Sequence, residues 1–542
     1  MAHVVTQACC GDASCAFACP VNAIHPTPDE PDFATAEMVY IDPVSCVDCG
    51  ACITACPVGA ITRDYRLTDK QLPFVDINAM FHEPQRDYPP QAPVTPIVRK
   101  VDAARALKVA IVGAGPAALY AADALLKRPR TEVTVLDRLP TPYGLVRAGV
   151  APDHPDTRTI TGLFGKIEDQ KGFSYALGVE VGADVTHAEL AAQHHAVLYA
   201  TGASHDRSLG IPGEDLPGSG TATDFVAWYN GHPDQAEASF DLAHETAVIV
   251  GNGNVALDVA RMLASDPERL ATTDIADHAL ETLRTSRVRE VILLARRGPA
   301  QSAFTLPELT GLLAHPDFDV VVDADLADDL AASSADQMTQ LKVEALRDRP
   351  TATRSRRVVL RYQSAPVEIV GSGSVEGVRV AATRLAGEIG DVRVELTEQT
   401  QIIDTGLVLR SIGYRGRAVV DLPFDEHRAV VPNDAGRVEG LPGTYVAGWI
   451  KRGPTGFIGT NKTCASETVD RLVEDFNAGL LADPIDRRSV AHVLASRGTA
   501  VVDRTAWRRI DELERRRGLA TGRPRVRFTR VDDMRAVASG AR

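Results

Sequence analysis

Two cysteine runs near the start of the chain have the residue types and spacing of iron–sulfur chemistry. CCGDASCAFACP (Cys9–Pro20) reads C-x2-D-x2-C-x3-C-P from Cys9, and CVDCGACITACP (Cys46–Pro57) reads C-x2-C-x2-C-x3-C-P. Such crowded thiolates, closed by proline, suit a cluster wrapped by one loop. A tetrahedral zinc usually joins two separated pairs across a longer span. In the second spacing the fourth cysteine crosses to the other cluster. Cys46, Cys49 and Cys52 with Cys19 are therefore expected to hold one cluster, and Cys9 and Cys15 with Cys56 the other. Asp12 stands where the second run has Cys49. Carboxylate binds iron more weakly than thiolate. This corner should either lose its iron, leaving [3Fe–4S], or complete a labile [4Fe–4S] with Asp12 or water. Cys9 and Cys10 can each open the run; Cys9 keeps the register of the repeat and is preferred.

Two glycine turns carry the second chemistry. LKVAIV, GAGPAALYAADALLKR and EVTVL read as strand, turn with helix, and strand, ending at Asp137. TAVIV, GNGNVALDVARMLA and VREVILLA repeat the unit, ending at Arg296-Arg297. A G-x-G-x-x-A turn alone is a weak signal, but a strand before it and a helix after it are the required context. The first glycine makes the turn, and the second lets the backbone approach a pyrophosphate resting on the helix N-terminus. Two copies imply two dinucleotides. Asp137 suits ribose hydroxyls, as in the adenosine of FAD. Arg296-Arg297 suits a 2′-phosphate and so NADP(H) over NAD(H); the bland alternative is a surface pair at a strand end. Cys464 is the one cysteine beyond Cys56, so no C-x-x-C disulfide waits beside the flavin.

The elements that position these residues give an α/β protein: two Rossmann-like dinucleotide-binding domains preceded by a small α+β domain that resembles a ferredoxin. Alternating strands and helices indicate parallel sheets. The expected division is 1–75 for the cysteine domain and 76–106 for a Pro-rich linker around YPPQAPVTP. The FAD domain takes 107–204 and 430–480, the NADP domain 205–429, and a basic C-terminal extension 481–542. CPVNAI (Cys19–Ile24) recurs as CPVGAI (Cys56–Ile61), a pseudo-repeat in the first domain. At 542 residues and 44% hydrophobic content the chain is an ordinary globular protein. No apolar run reaches the ~20 residues of a membrane span, and the start shows no export signal, so the cytoplasm is expected. The net charge of −14 is uneven: residues 1–62 hold seven acidic side chains and no Lys or Arg, whereas arginines crowd the end. Those arginines form either a solvated face or a basic surface for an acidic partner, the N-terminal domain included. Nucleic acid is disfavoured because no aromatic stacking pattern accompanies them.

GAGPAALYAADALL, DRLPTPYGLVRAGVAPDHP, GNGNVALDVAR, ARRGPAQSAFTLPEL and GWIKRGPTGFIGTNK together resemble the adrenodoxin-reductase type of ferredoxin–NADP reductase over about 107–480. Residues 1–65 resemble a bacterial two-cluster ferredoxin of the seven- or eight-iron type, and the whole chain resembles the actinobacterial fusion of the two. The resemblance implies that Gly113, Ala114, Gly115, Pro116, Ala117, Asp137, Leu145 and Val181 bind FAD. It puts Trp449, Gly456, Phe457 and Ile458 at the flavin ring, with Gly456 also near the nicotinamide. Asn252, Gly253, Asn254 and Val255 would hold the NADP pyrophosphate, Arg296 and Arg297 its 2′-phosphate, and Glu308 the nicotinamide side. His154 and Glu308 are the implied groups for proton handling and positioning.

The expected activity is electron transfer from NADPH through FAD to the clusters, then to a free ferredoxin or another one-electron acceptor. A different reading is a non-autonomous electron-transfer subunit, like the small subunit of glutamate synthase, docking through its arginine tail. A flavin-bearing scaffold without turnover would leave both glycine turns idle.

Overall fold

The computed structural model describes residues 2–84, 88, 98, 100–101, 105–324, 336–347, 353–387, 393–486 and 488–540. The N-terminal domain is built on its pseudo-repeat. His3–Val5 pairs antiparallel with Ile61–Arg63, and Ile24–His25 with Tyr40–Ile41. Two short helices, Ser14–Ala18 and Ala51–Ala55, each follow a left-handed residue and each end on a cysteine, Cys19 or Cys56. The repeated C-P-V-x-A explains itself here. Proline turns the chain after the cysteine, so the alanine N–H four residues on donates back to its sulfur: Ala23 to Cys19 at 3.2 Å, Ala60 to Cys56 at 3.3 Å.

The expected linker 76–106 begins inside an element. Pro73–Phe81 is a helix that buries Phe74, Ile77 and Asn78, and Asn78 bonds the backbone of Val5 and Ile41. Its apolar residues recur at helical spacing, which outweighs the Pro-rich composition that begins only at Pro84. Most of YPPQAPVTP lies outside the described residues.

The larger sheet has the strand order 433–434, 437–438, 444–446, 196–199, 107–112, 131–137, 173–177, parallel from 444–446 onward with an antiparallel edge at 433–438. Leu107–Val112 is apolar and buried apart from Lys108, because both faces of the strand are covered. The chain leaves this sheet after Tyr199, builds a second one, and returns at Asn433. The second sheet runs 219–221, 407–410, 246–250, 290–294, 357–361, 319–323. An antiparallel sheet of Ser364–Val370, Gly377–Ala386 and Arg393–Asp404 extends it. In each parallel sheet the strand leading into the glycine turn is flanked on the far side by a strand that comes later in the chain. Each turn therefore opens at a topological switch point, where open α/β sheets bind ligands.

Among the described residues, the C-terminal arginines that pair with acidic groups do so on the two dinucleotide lobes and on the tail itself, not on the N-terminal domain. Helices Arg504–Leu519 and Val531–Ala538 pack Trp507, Ile510, Met534 and Val537 into the core of the 107–199 sheet. Arg527 reaches Asp274 at 2.6 Å and the carbonyl of Asn230 at 3.0 Å, and Arg523 reaches Asp277. Arg525 and Arg147 share the fully buried Glu514. Two facing arginines, Arg527 and Arg158, overcome burial and hold the Asp274 carboxyl well below its usual range. The tail thus clamps the two dinucleotide lobes together. A depressed carboxyl stabilises above its unfolded value of about 4 and loses that contribution as the pH falls further. Arg527→Ala would leave the buried Asp274 carboxylate to Arg158 alone, at a cost of about 1.5–3 kcal/mol for the lost charged hydrogen bond. A lower urea midpoint for flavin release at pH 7, converging with the parent protein in acid, is the expected result.

Candidate functional site

The first glycine turn fits a dinucleotide. Gly113 has φ +102°, and a Cβ there would stand 2.4 Å from the Ala200 carbonyl across the switch point. Gly115 starts helix Pro116–Leu126, whose N-terminus has no side-chain cap and so offers free N–H groups to phosphate. Ala114 and Leu139 donate N–H groups to Asp137 at 2.8 and 2.9 Å, fixing the carboxylate at the turn; burial nevertheless pushes its pKa up. Val179 N–H bonds the Asp137 carbonyl, so Val181 lies just past the same sheet edge. Pro116 and Ala117 open the helix, and Ala117 leaves no room for a Cβ at Gly448. Leu145 is exposed at the start of helix Leu145–Ala148. Gly113→Ala is expected to give protein that purifies without flavin, read from its visible spectrum, because neither φ nor space admits the methyl.

The second turn repeats the geometry. Gly251 has φ +125°, and a Cβ there would stand 2.2 Å from the Ser411 carbonyl. Gly253 begins the uncapped helix Asn254–Ala264. Asn252 belongs to the turn, Val255 packs into the lobe core, and the Asn254 side chain accepts Thr305 N–H at 2.8 Å. Arg296 and Arg297 follow strand Glu290–Leu294 and are exposed. Neither guanidinium has an ion-pair partner among the described residues, so both can receive a phosphate.

Between the lobes, His154, Asp258 and Glu308 bring ligand atoms within 4.8 Å of one another. His154 Nε2 stands 3.9 Å from Glu308. Arg261 braces this group, bonding Asp153 at 2.5 Å and Asp258 at 2.7 Å. Burial opposes ionisation of Asp153, but Arg261 brings its pKa down to about 2. Asp258 is pushed up by burial and by the nearby Glu308 and Asp153, against Arg261 and His154.

Trp449 begins helix Trp449–Arg452, donates to the Thr455 carbonyl at 3.1 Å and lies against Tyr414. The loop after it is pinned from its own helix. Phe457 N–H bonds the Thr460 hydroxyl, and Asn461 bonds the carbonyls of Phe457 and Ile458. A Cβ at Gly456 would strike Thr460. This loop also receives the N-terminal domain. Gly459 N–H bonds the Cys10 carbonyl at 2.8 Å, Phe457 packs on Gly11, and Lys462 holds Asp12 and Ser14 at 3.2 and 2.7 Å. Sequence reasoning missed these docking residues; only their place in the GFIGTNK segment hinted at them.

The cysteines form two groups. Cys15 faces Cys9 and Cys56, with Asp12 beside them. Cys19, Cys46, Cys49 and Cys52 line one small cavity. The donor sets suit clusters, since buried thiols alone are pushed up by burial, Cys9 to about 11 and Cys52 to about 12, and iron supplies the missing positive charge. Cys10 instead packs into the core of the 107–199 sheet. Cys464 is buried and accepts Gly448 N–H.

A dicluster ferredoxin domain seated on a two-dinucleotide reductase defines a flavoprotein oxidoreductase that carries its own iron–sulfur relay. The family model for the 4Fe-4S dicluster domain matches residues 8–60, and that for pyridine nucleotide-disulphide oxidoreductases matches 107–297. A probable ferredoxin/ferredoxin–NADP reductase of Mycobacterium leprae is 53% identical over all of this chain and 98% of its own. NADPH:adrenodoxin oxidoreductase of Homo sapiens is 41% identical over 79% of this chain and 91% of its own. The structure of FprA from Mycobacterium tuberculosis in complex with NADPH is 42% identical, with a TM-score of 0.76 over 80% of this chain and all of that one. The chain belongs to the ferredoxin/ferredoxin–NADP reductases.

Proposed function

We infer that this enzyme takes electrons from NADPH and delivers them, through FAD and then the Cys9–Cys15–Cys56 site, to the Cys19–Cys46–Cys49–Cys52 site and an outside one-electron acceptor. One observation carries the order: the Cys10–Asp12 loop lies against Phe457–Lys462, while Cys49 of the other group is exposed. When bound, NADPH supplies a hydride, FAD accepts it as two electrons, and the clusters carry these singly.

The chain's own residues bind and orient. Gly113, Ala114, Gly115, Pro116 and Ala117 cradle the FAD pyrophosphate, with Asp137 at the ribose and Leu145 and Val181 beside it. Asn252, Gly253, Asn254 and Val255 do the same for NADPH, and Arg296 and Arg297 take its 2′-phosphate. Trp449, Gly456, Phe457 and Ile458 border the ring end, and His154 and Glu308 position the nicotinamide and serve proton handling.

The thiolate set Cys9, Cys15 and Cys56 favours [3Fe–4S]. Both oxygens of Asp12 are engaged, by Ser14 and Lys462, which leaves this carboxylate poorly available to a fourth iron. A free ferredoxin fits as acceptor, and a cytoplasmic setting fits thiolates that must stay reduced. Among the described residues no helix is long and apolar enough to cross a membrane.

Cys49→Ala tests the order. The protein should keep an N-terminal cluster that NADPH reduces, seen by low-temperature EPR, and lose reduction of an added ferredoxin. Undiminished ferredoxin reduction would refute the order.

A further inference from the structure

We propose that Gln7, a residue of the ferredoxin domain, is a positioning residue of the nicotinamide-side site: it holds the Glu308 carboxylate in place. The inference rests on the reading of Glu308 as a nicotinamide-side group. Gln7 Nε2 donates to Glu308 Oε2 at 2.9 Å, on the carboxylate oxygen that faces His154 Nε2.

The amide is itself held. Thr6 is tied to the Ala60 carbonyl by its N–H and its hydroxyl, and Cys9 N–H bonds the Thr6 carbonyl, so Gln7 projects from a closed turn. Its seat is cut into helix Leu306–Leu313. A Cβ at Gly311 would stand 2.4 Å from Gln7 Nε2 and 2.6 Å from its Oε1. The start of the same helix is gripped from the same domain, since Glu37 accepts Leu306 N–H at 2.6 Å and pairs with Lys342 at 3.0 Å.

Glu308 therefore has a hydrogen-bond donor that belongs to the electron-accepting domain. Holding the carboxylate toward His154 fixes the polar wall against which the nicotinamide must lie, and misplacement of such a wall lowers the rate more than the binding. A domain that has swung away would leave Glu308 without this partner, so hydride delivery would run at full rate only when the relay is seated.

The test uses the full-length holoprotein, with iron and FAD content confirmed for every variant, and rapid-mixing kinetics of flavin bleaching by NADPH. Gln7→Met keeps the shape and removes the donor. Gln7→Glu puts a carboxylate against a carboxylate. Gly311→Ala displaces Gln7 from the other side of the contact. Glu308→Gln is the control on the underlying reading. The expected result is a limiting bleaching rate lowered about tenfold by Gln7→Met and Gly311→Ala, and further by Gln7→Glu, with NADPH affinity nearly unchanged. Slow bleaching in Glu308→Gln alone, with the other three at the parent rate, would overturn the role of Gln7. Loss of cluster reduction with normal bleaching would do so too, since it would make Gln7 a docking contact only. Normal bleaching in Glu308→Gln would remove the reading of Glu308, and the inference with it.

Discussion

Replacing Arg296 and Arg297 together with alanine is expected to lower kcat/KM for NADPH by about 10²–10⁴-fold and to leave that for NADH nearly unchanged. Each charge-assisted bond from a guanidinium to phosphate contributes roughly 1.5–3 kcal/mol, and every 1.4 kcal/mol is a factor of ten. Both side chains are exposed past the end of strand Glu290–Leu294, with no ion-pair partner among the described residues. Their removal therefore strands no buried charge and should not disturb folding. The loss should appear mainly in KM, because the 2′-phosphate is remote from the reacting atoms and binds alike in ground and transition states. Parallel steady-state titrations with the two nucleotides, using ferricyanide as acceptor, measure it. An unchanged NADPH-to-NADH ratio would return the pair to the status of a surface ornament on a strand end.

Cys15→Ala is expected to abolish delivery to protein acceptors while leaving flavin chemistry intact. Cys15 is buried and faces Cys9 and Cys56, so it has no neighbouring thiol of its own register to replace it, whereas Cys10 stands beside Cys9. The variant should fall from about seven or eight irons per flavin to about four. Ferricyanide, which can draw electrons from the flavin itself, should still be reduced by NADPH. Reduction of an added ferredoxin should drop to background, because the Cys10–Asp12 loop is the part of the domain seated on Phe457–Lys462. If ferredoxin reduction survives, the electrons bypass this site and the order inferred from the docking is wrong.

Docking of this kind bears on the alternative of a non-autonomous subunit. The arginine tail was the surface such a subunit would use, but Arg523, Arg525 and Arg527 are spent on Asp277, Asp511, Glu514 and Asp274 within the chain. Arg515 still has an exposed side chain, paired with Asp511 on its own helix.

The cysteine spacings, the two glycine turns and the residues that close their second strands were legible in the sequence by themselves. These are local signals: a cluster ligand, a positive-φ turn or a strand-end charge is specified within a few residues of itself, and the chemistry tolerates few other types there. The expected crossing of Cys19 and Cys56 between sites comes from the four-cysteine spacing, and Cys19 lines one cavity with Cys46, Cys49 and Cys52. The tertiary structure alone decided where the bodies meet. Gln7 and Glu308 are separated by about three hundred positions, Asp12 and Lys462 by more, and no periodicity links them. A charged tail reads the same whether its partners are water or buried carboxylates, so only packing could reveal that Arg527 closes on Asp274 and clamps two lobes. The helix Pro73–Phe81 inside the expected linker makes the same point in reverse. Composition averaged over a segment favoured a spacer, but three buried side chains on one helical face were enough to fold its first part.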